Sequence, residues 1–316
     1  MSNLKVTMSF YRRSRYFFIV FIALFAFNTF STFAQEMKLK KRIAVFVFED
    51  KTDKSWRWWN NKGVGEGMAD MLTTELVKSG EYIVIERQEL DKILAEQKLG
   101  ASGVVTPQSA AQIGKVLGVE LAVVGAVTEF GYKDNSTGGR LKGVGLGVRT
   151  QSSTVGIDCR LVNTTTAEII AADNVRKEES TKGLKFNARG VSFKDKKSFD
   201  ESLVGKAARD AVEDIVDMVN NNIPNVTWQA KVVTQKNNAV FINVGAEHGV
   251  SAGNVFMIYQ KGEDLIDPDT GLSLGSMDTK VGEIKVTNPN IGDGKASQCS
   301  IISGNGFNSG DFVRIQ

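Results

Sequence analysis

Gly63-Val64-Gly65-Glu66-Gly67 leads into a helical pattern, and Glu86 lies about 21 residues beyond Gly65 at the end of a strand pattern, the outline of a dinucleotide-binding fingerprint. In such a site the glycines follow the first strand at once, so that the helix N-terminus meets the pyrophosphate; here about 14 residues separate Phe48 from Gly63. Close packing of the loop accounts for the glycines, and no cofactor is expected. His248 is the only histidine, which excludes a multi-histidine metal site or a His-based triad within one chain. Asp264, Asp267, Asp269 and Gly271 offer oxygen ligands but lack the spacing and terminal Glu of a calcium loop, and Asp267-Pro268-Asp269-Thr270-Gly271 suffices as a turn. No metal is expected. Without a nucleophile, base and orienting group in one set, the chain does not read as an enzyme.

Two other features carry more. Trp56, Trp58 and Trp59, followed by Asn60 and Asn61, place three of the four tryptophans in one connection. Loops that hold such apolar area contact something, either a partner or their own domain. Farther on, Val144, Leu146 and Val148 alternate with glycines, and Val155, Ile157, Cys159 and Leu161 alternate with Gly156, Asp158 and Arg160. Each arm approaches the nine to eleven residues of a membrane β-strand, with roughly one apolar and one small or polar face. A weaker pair, Leu184, Phe186 and Val191, Phe193, is surrounded by Lys182, Lys185, Arg189, Lys194, Lys196 and Lys197. Hairpins of this kind from several subunits close a membrane barrel, or they are soluble antiparallel hairpins with one face packed.

The elements that position these residues follow from periodicity. Ile43 to Phe48 is a continuous apolar run, the mark of a strand covered on both faces. Met68, Leu72 and Leu76 predict a helix near 64–78 stopped by Gly80, and Tyr82–Ile85 a short strand. Leu90, Ile93 and Leu94 predict a helix over 87–98, and Thr106-Pro107 opens another ending at Gly118. Strands follow at Leu121–Val127, Thr154–Val162 and Glu168–Val175, the last two joined by a turn at 163–166. Ser198 and Glu201 form a capping box ahead of a long amphipathic helix closing at Pro224. Beyond Val226 the pattern changes to short strands at Val240–Val244, Val255–Tyr259, Val281–Val286 and Phe312–Ile315. The expected fold is an α/β N-terminal domain, with a mixed sheet, helices and two extended β-hairpins, plus a small all-β barrel-like C-terminal domain.

Arg12, Arg13 and Arg15, the apolar run Tyr16–Phe27 and Thr32-Phe33-Ala34 before Gln35 have the layout of a secretory signal peptide over 1–34. An α/β domain over 35–224 and an interaction domain over 225–316 are then expected. The net charge of +3 belongs to the signal: the remainder holds 35 basic against 36 acidic residues, which argues against a nucleic-acid partner. Cys159 and Cys299 fall in different expected domains, and no cysteine stands at position 35 to carry a lipid.

Taken in order, Ile43–Phe48 with Glu49-Asp50-Lys51-Thr52, the helix Gly67–Leu76, Val84-Ile85-Glu86-Arg87-Gln88-Glu89-Leu90, Gly125–Tyr132 and Arg160–Asn163 with Ala167–Ile169 resemble the curli-secretion (CsgG) family over about 42–222. The resemblance implies a ring of nine subunits, each donating two hairpins to one outer-membrane barrel. It also implies a loop after the first strand that constricts a channel for unfolded polypeptide. By position the loop is Trp56 to Asn61 and the hairpins are about 130–158 and 176–200. The chain departs from that pattern in its Lys-rich second hairpin, its missing lipidated cysteine and its extra C-terminal domain. Val240–Gly245, Gly249–Gly253 and Ser309–Val313 there resemble the terminal β-domain of the flagellar-assembly protein FlgT. The expected function is an exported, outer-membrane-associated, oligomeric component for protein export or surface assembly, working with itself and an envelope or exported protein. The alternative is a soluble periplasmic scaffold of an envelope machine such as the flagellar basal body.

Overall fold

The apolar run from Ile43 belongs to β1 (Lys41–Val45), which lies inside a sheet because both flanking strands pair with it in parallel. A computed structural model describes residues 37–52, 62–85, 106–141, 144–182, 196–269 and 273–315. β3 (Tyr82–Val84) and β4 (Leu121–Leu141) flank β1, and β2 (Glu49–Asp50) continues along β4. β5 (Val144–Asn163) and β6 (Ile169–Lys182) then add antiparallel strands, giving the order β3-β1-β4-β5-β6. The sheet is therefore mixed, as its sequence pattern predicts.

Helices cover both faces. On one, α1 (Val64–Ser79) presents Met68, Leu72 and Leu76 at helical spacing, and α4 (Leu203–Asn222) presents Ala211, Ile215 and Val219, against Ile157 and Leu161. Each fully buried Leu or Ile contributes about 1.5–3 kcal/mol of apolar burial. On the other face α2 (Pro107–Leu117) sets Ala110 and Ile113 against Phe46, Val124 and Val162. Gly80 ends α1 at φ 70°, a left-handed conformation that glycine adopts without cost. The expected helix over 87–98 lies outside the described residues.

The cap of α4 differs from expectation. Ser198 sits within the short helix α3 (Lys196–Asp200), and Ser202 caps α4 by accepting the Gly205 N–H at 3.0 Å. A Cβ at Gly205 would stand 2.0 Å from the Phe199 carbonyl oxygen, so the abutment of α3 on α4 needs glycine there and moves the cap four residues on.

After a 3-10 turn at Ile223–Asn225 the architecture becomes β. β7 (Ala230–Lys236), β8 (Ala239–Ile242), β9 (Val255–Gln260), β12 (Thr279–Ile291), β13 (Ala296–Gly304) and β14 (Phe312–Arg314) close a barrel in the order β12-β13-β8-β7-β14-β9. Phe256, Ile258, Ile284, Val240, Ile242 and Val313 are buried, and Trp228 stacks on Phe256 at 5.3 Å. Between β9 and β12, β10 (Asp264–Ile266) and β11 (Ser273–Ser276) pair only with each other. The sequence predicts four of these strands; β7, β13 and the β10–β11 pair are additional. Leu39–Gln316 is one compact unit holding both sheet and barrel, and Met1–Lys38 is a separate unit of which only Met37 and Lys38 are described.

Candidate functional site

β4 and β5 form one hairpin far longer than the body of the sheet requires. Its base runs from Leu121↔Asn163 to Lys133↔Ser152, and eight more rungs continue from Asp134↔Gln151 to Leu141↔Val144. At about 3.4 Å per residue the extension reaches roughly 27 Å, close to the height of a membrane barrel's apolar band. The hairpin implied over 130–158 thus falls within β4–β5.

The two alternating sets, Val144/Leu146/Val148 and Val155/Ile157/Leu161, turn out to be one strand and not two arms. β5 has no bulge between them; the single irregularity opposite, at Val127/Glu129, lies in β4. Because 144–148 is even-numbered and 155–161 odd-numbered, the sets occupy opposite phases of the strand. In the base the odd set is interior: Val155, Ile157 and Leu161 are 0 % exposed in the core with α1 and α4. In the extension the odd rungs are Arg140↔Gly145, Gly138↔Gly147 and Ser136↔Arg149, and the even rungs Leu141↔Val144, Gly139↔Leu146 and Thr137↔Val148. The apolar phase therefore changes sides along β5. At the change lie Gln151, Ser152, Ser153 and Thr154, four consecutive polar residues all buried; Ser153 Oγ donates to the Gly131 carbonyl at 3.0 Å.

Trp56, Trp58, Trp59, Asn60 and Asn61 lie outside the described residues, as do Leu184, Phe186, Val191 and Phe193. The roots of the tryptophan loop are described. β2 pairs with β4 at Ala126 and Val127, the Lys51 N–H donates to the Val127 carbonyl, and Thr52 donates to Asp50 through both its N–H and its hydroxyl. On the return, Lys62 pairs with Asp70 at 2.5 Å beside the start of α1. A Cβ at Gly65 would stand 1.8 Å from the Phe48 carbonyl oxygen. Helix-to-strand contact thus requires the glycine that the fingerprint pattern singled out; the outgoing root is tied to β4 through Lys51 and the returning root to Phe48 through Gly65. Likewise β6 follows β5 as far as Thr150↔Lys182.

His248, at the end of the 3-10 turn Ala246–His248, is 3 % exposed and joins the barrel to the sheet. Its carbonyl accepts the Lys40 N–H at 2.9 Å, the Arg42 guanidinium reaches Nε2 at 3.1 Å, and the Gly245 N–H points at Nδ1 at 3.3 Å. Both ring nitrogens face donors, so a second ring proton is unwelcome; burial, then the Arg42 charge, pulls the pKa down to about 4. On β1's other side Lys41 is buried and donates to the Ile223 and Val226 carbonyls, its pKa lowered by burial. Glu120 accepts the Arg42 N–H at 2.8 Å, and burial raises its pKa to about 7. A lone histidine between Glu247 and Gly249 gives no periodic signal, so this seam was not legible.

Cys159 and Cys299 are free and buried, one under Met218 in the sheet and one in the barrel; burial pushes both thiols up to about 12. A cleft of about 490 Å³ between the start of α2 and the β5–β6 turn is lined by Gln108, Asn163 and Glu168 among apolar neighbours. Among the described residues no group of three or more His, Cys, Asp or Glu could hold a metal ion, and no helix is long and apolar enough to cross a membrane.

The curli production assembly/transport component CsgG of Escherichia coli K12 is 23 % identical over 218 residues, covering 63 % of this chain and 78 % of that protein. The Salmonella typhimurium protein of the same name is 22 % identical over the same shares. Among solved structures, the hypothetical protein CT253 of Chlamydia trachomatis overlaps 58 % of this chain and 97 % of its own at 14 % identity, with a TM-score of 0.36. The family profile described as curli production assembly/transport component CsgG matches residues 28–248, most of the sheet, its helices and the seam residue His248. This chain belongs to the CsgG family, whose members are assembly and transport components and not a known enzyme family.

Proposed function

We propose that the chain is an oligomeric, outer-membrane-associated component of a curli-type machine for protein export or surface-structure assembly. The observation that supports this reading is the change of apolar phase along β5. A hairpin that packs its odd positions into the protein's own core, and then carries its apolar residues in the even phase, has left that core for a second apolar medium. Lipid suits it: several copies contributing such hairpins close a barrel without free edges, with Arg140 and Arg149 in the water-facing phase. The tryptophan loop, rooted on β4 beside the hairpin, then serves as a sequence-tolerant collar, since rings contact a passing chain and amides hydrogen-bond its backbone. The barrel beyond Asn225, like the FlgT terminal domain it resembles, acts as the interaction module for an envelope or exported protein.

One observation favours the second reading, a soluble periplasmic scaffold: the Lys/Arg density of 182–197 suits a solvated or partner-facing hairpin better than a lipid-facing one. Fractionation separates the two. The processed protein should remain with outer membranes through high-salt and alkaline washes and leave only with detergent; release by the washes would sink the export reading and leave the scaffold. In planar bilayers, replacing Trp56, Trp58 and Trp59 with Ala should raise single-channel conductance, and unchanged conductance would remove the loop from the channel.

A further inference from the structure

The barrel carries two surfaces that its own fold leaves uncovered. The first is the β10–β11 arm. It continues the β9–β12 hairpin past Gln260↔Thr279, and neither face is packed: Leu265, Ile266, Leu274 and Met277 are 45 %, 53 %, 67 % and 65 % exposed. Four large apolar side chains on so short a two-stranded element are not explained by folding, because such an arm has no core to bury them in. Exposed acids Glu263, Asp264 and Asp269 accompany them, Asp264 being paired with Lys261 at 2.9 Å within the arm.

The arm is nevertheless built on a fixed base. The half-buried Asp278 accepts from Ser276 Oγ at 2.5 Å, from Arg314 Nη2 at 2.5 Å and from the Gly262 N–H at 3.3 Å. Burial alone would raise its pKa, but these bonds overcome that and hold the carboxyl below its usual value. Arg314 is itself held by Gln229 and lies over the rings of Tyr259 and Phe312. A Cβ at Gly262 would stand 2.0 Å from the Met277 carbonyl oxygen, so the two arms close tightly at the root. An apolar, acidic arm is thus presented in one orientation.

The second surface is the outer face of β12-β13-β8-β7. Lys285↔Ser300, Ser300↔Ala239 and Ala239↔Lys236 align in one row across the four strands. In the next outward row Gln298 pairs with Phe241, a half-buried aromatic on the outer side. The two lysines are exposed, and no acid occurs in either row. Phe241 and Ala239 thus lie beside Ser300 and Gln298 between two lysines, a counterpart to the apolar and acidic side chains of the arm.

We propose that the arm of one copy docks on this face of the barrel in a second copy, a head-to-tail contact of the kind that generates rings when the rotation closes. An intramolecular contact is excluded by reach. Lys285 lies about 20 Å from the arm's root along β12, and the arm runs on in the opposite direction. Anionic lipid is disfavoured by the acids. The inference stands on the barrel's own surfaces and takes from the preceding reading only that copies assemble.

Mixing full-length mature copies carrying Asp269→Cys with copies carrying Lys285→Cys, then adding a short bismaleimide, should yield a cross-linked dimer in the mixture and in neither alone, since Cys159 and Cys299 are buried. Adding Glu263→Lys to the arm copies, or Lys236→Glu to the face copies, should each cut the yield about tenfold, and the two together should restore it. Absence of the mixed dimer, or a yield indifferent to charge reversal, overturns the contact, including the case in which the arm serves a different protein. Alkaline extraction of the same samples keeps the two ideas apart. Membrane retention without the cross-link leaves the export reading standing alone, and the cross-link in wash-released protein leaves the contact standing alone.

Discussion

The base and the extension of β5 are one strand in two environments. Below Ser152 the odd residues Val155, Ile157, Cys159 and Leu161 are fully buried against helices, while even residues Asp158 and Arg160 meet solvent. Above it the apolar residues are even and the odd ones are Gly and Arg. A strand's pleat allows no such exchange unless the medium on each side also exchanges. The buried polar run Gln151–Thr154 sits where neither medium governs. Hydrophobic pattern here reports surroundings as much as structure: the base answers to the protein core, and the extension to whatever lies outside it.

The comparison predicts separable failures. Ile157→Asp should have the largest effect, because it leaves a charge without a partner in the core between β5 and α4, at a cost of about 3–5 kcal/mol. The protein should fail to accumulate or should melt far below the parent by circular dichroism. Leu146→Arg should leave the melting of the body unchanged and lose retention in alkaline-washed membranes, since a lipid-facing cation costs about 2–4 kcal/mol per subunit at mid-bilayer. If both variants lose folding and retention together, the base and the extension are one unit and the contrast between them is wrong.

Much of the base was legible. Helical spacing located α1 to within a residue, Gly80 its end, and Thr106-Pro107 the start of α2, because each rests on local stereochemistry. The extension was misread as two arms, although Val148 and Val155 are an odd number of residues apart and so cannot share a face of one hairpin strand. Attention to phase would have exposed the single strand. β13, by contrast, reads Ala-Ser-Gln-Cys-Ser-Ile-Ile, with the small residues Ser297 and Cys299 at its inward positions giving no apolar alternation, and β7 is interrupted by a bulge near Val233. The seam at His248 was beyond reach, since it joins residues 206 apart in sequence.

That seam allows the comparison to be sharpened by pH. The folded pKa of His248, about 4, lies below its unfolded value of 6.5, so the unfolded chain binds the proton more readily in between. Its contribution is therefore full above pH 6.5, falls as the pH drops toward 4, and amounts to a loss of about 2 kcal/mol by pH 5. Glu120 in the same seam, raised from 4.5 to about 7, shifts the balance the other way over this range, so melting of the parent should change little between pH 7 and 5, and His248→Gln should make melting rise as the pH falls. Membrane retention should not change over the same range, because His248 and Glu120 lie in the seam and not in the extension.

The smallest effect tests the same division from the helix side. Ser202 accepts the Gly205 N–H, and its replacement by Ala removes the side-chain cap of α4 at a cost of about 1 kcal/mol. For a body of this size that is a fall of about 2–4 °C in Tm. α4 lies on the odd face of the base, over Ile157 and Leu161, and the cap is on the helix that holds that face dry. Ser202→Ala should thus lower Tm slightly and leave retention and conductance at parental levels. A loss of retention comparable to that of Leu146→Arg would mean that the packing of α4 decides whether the extension enters the membrane, and the exchange of faces at Gln151–Thr154 would then be a hinge and not a boundary.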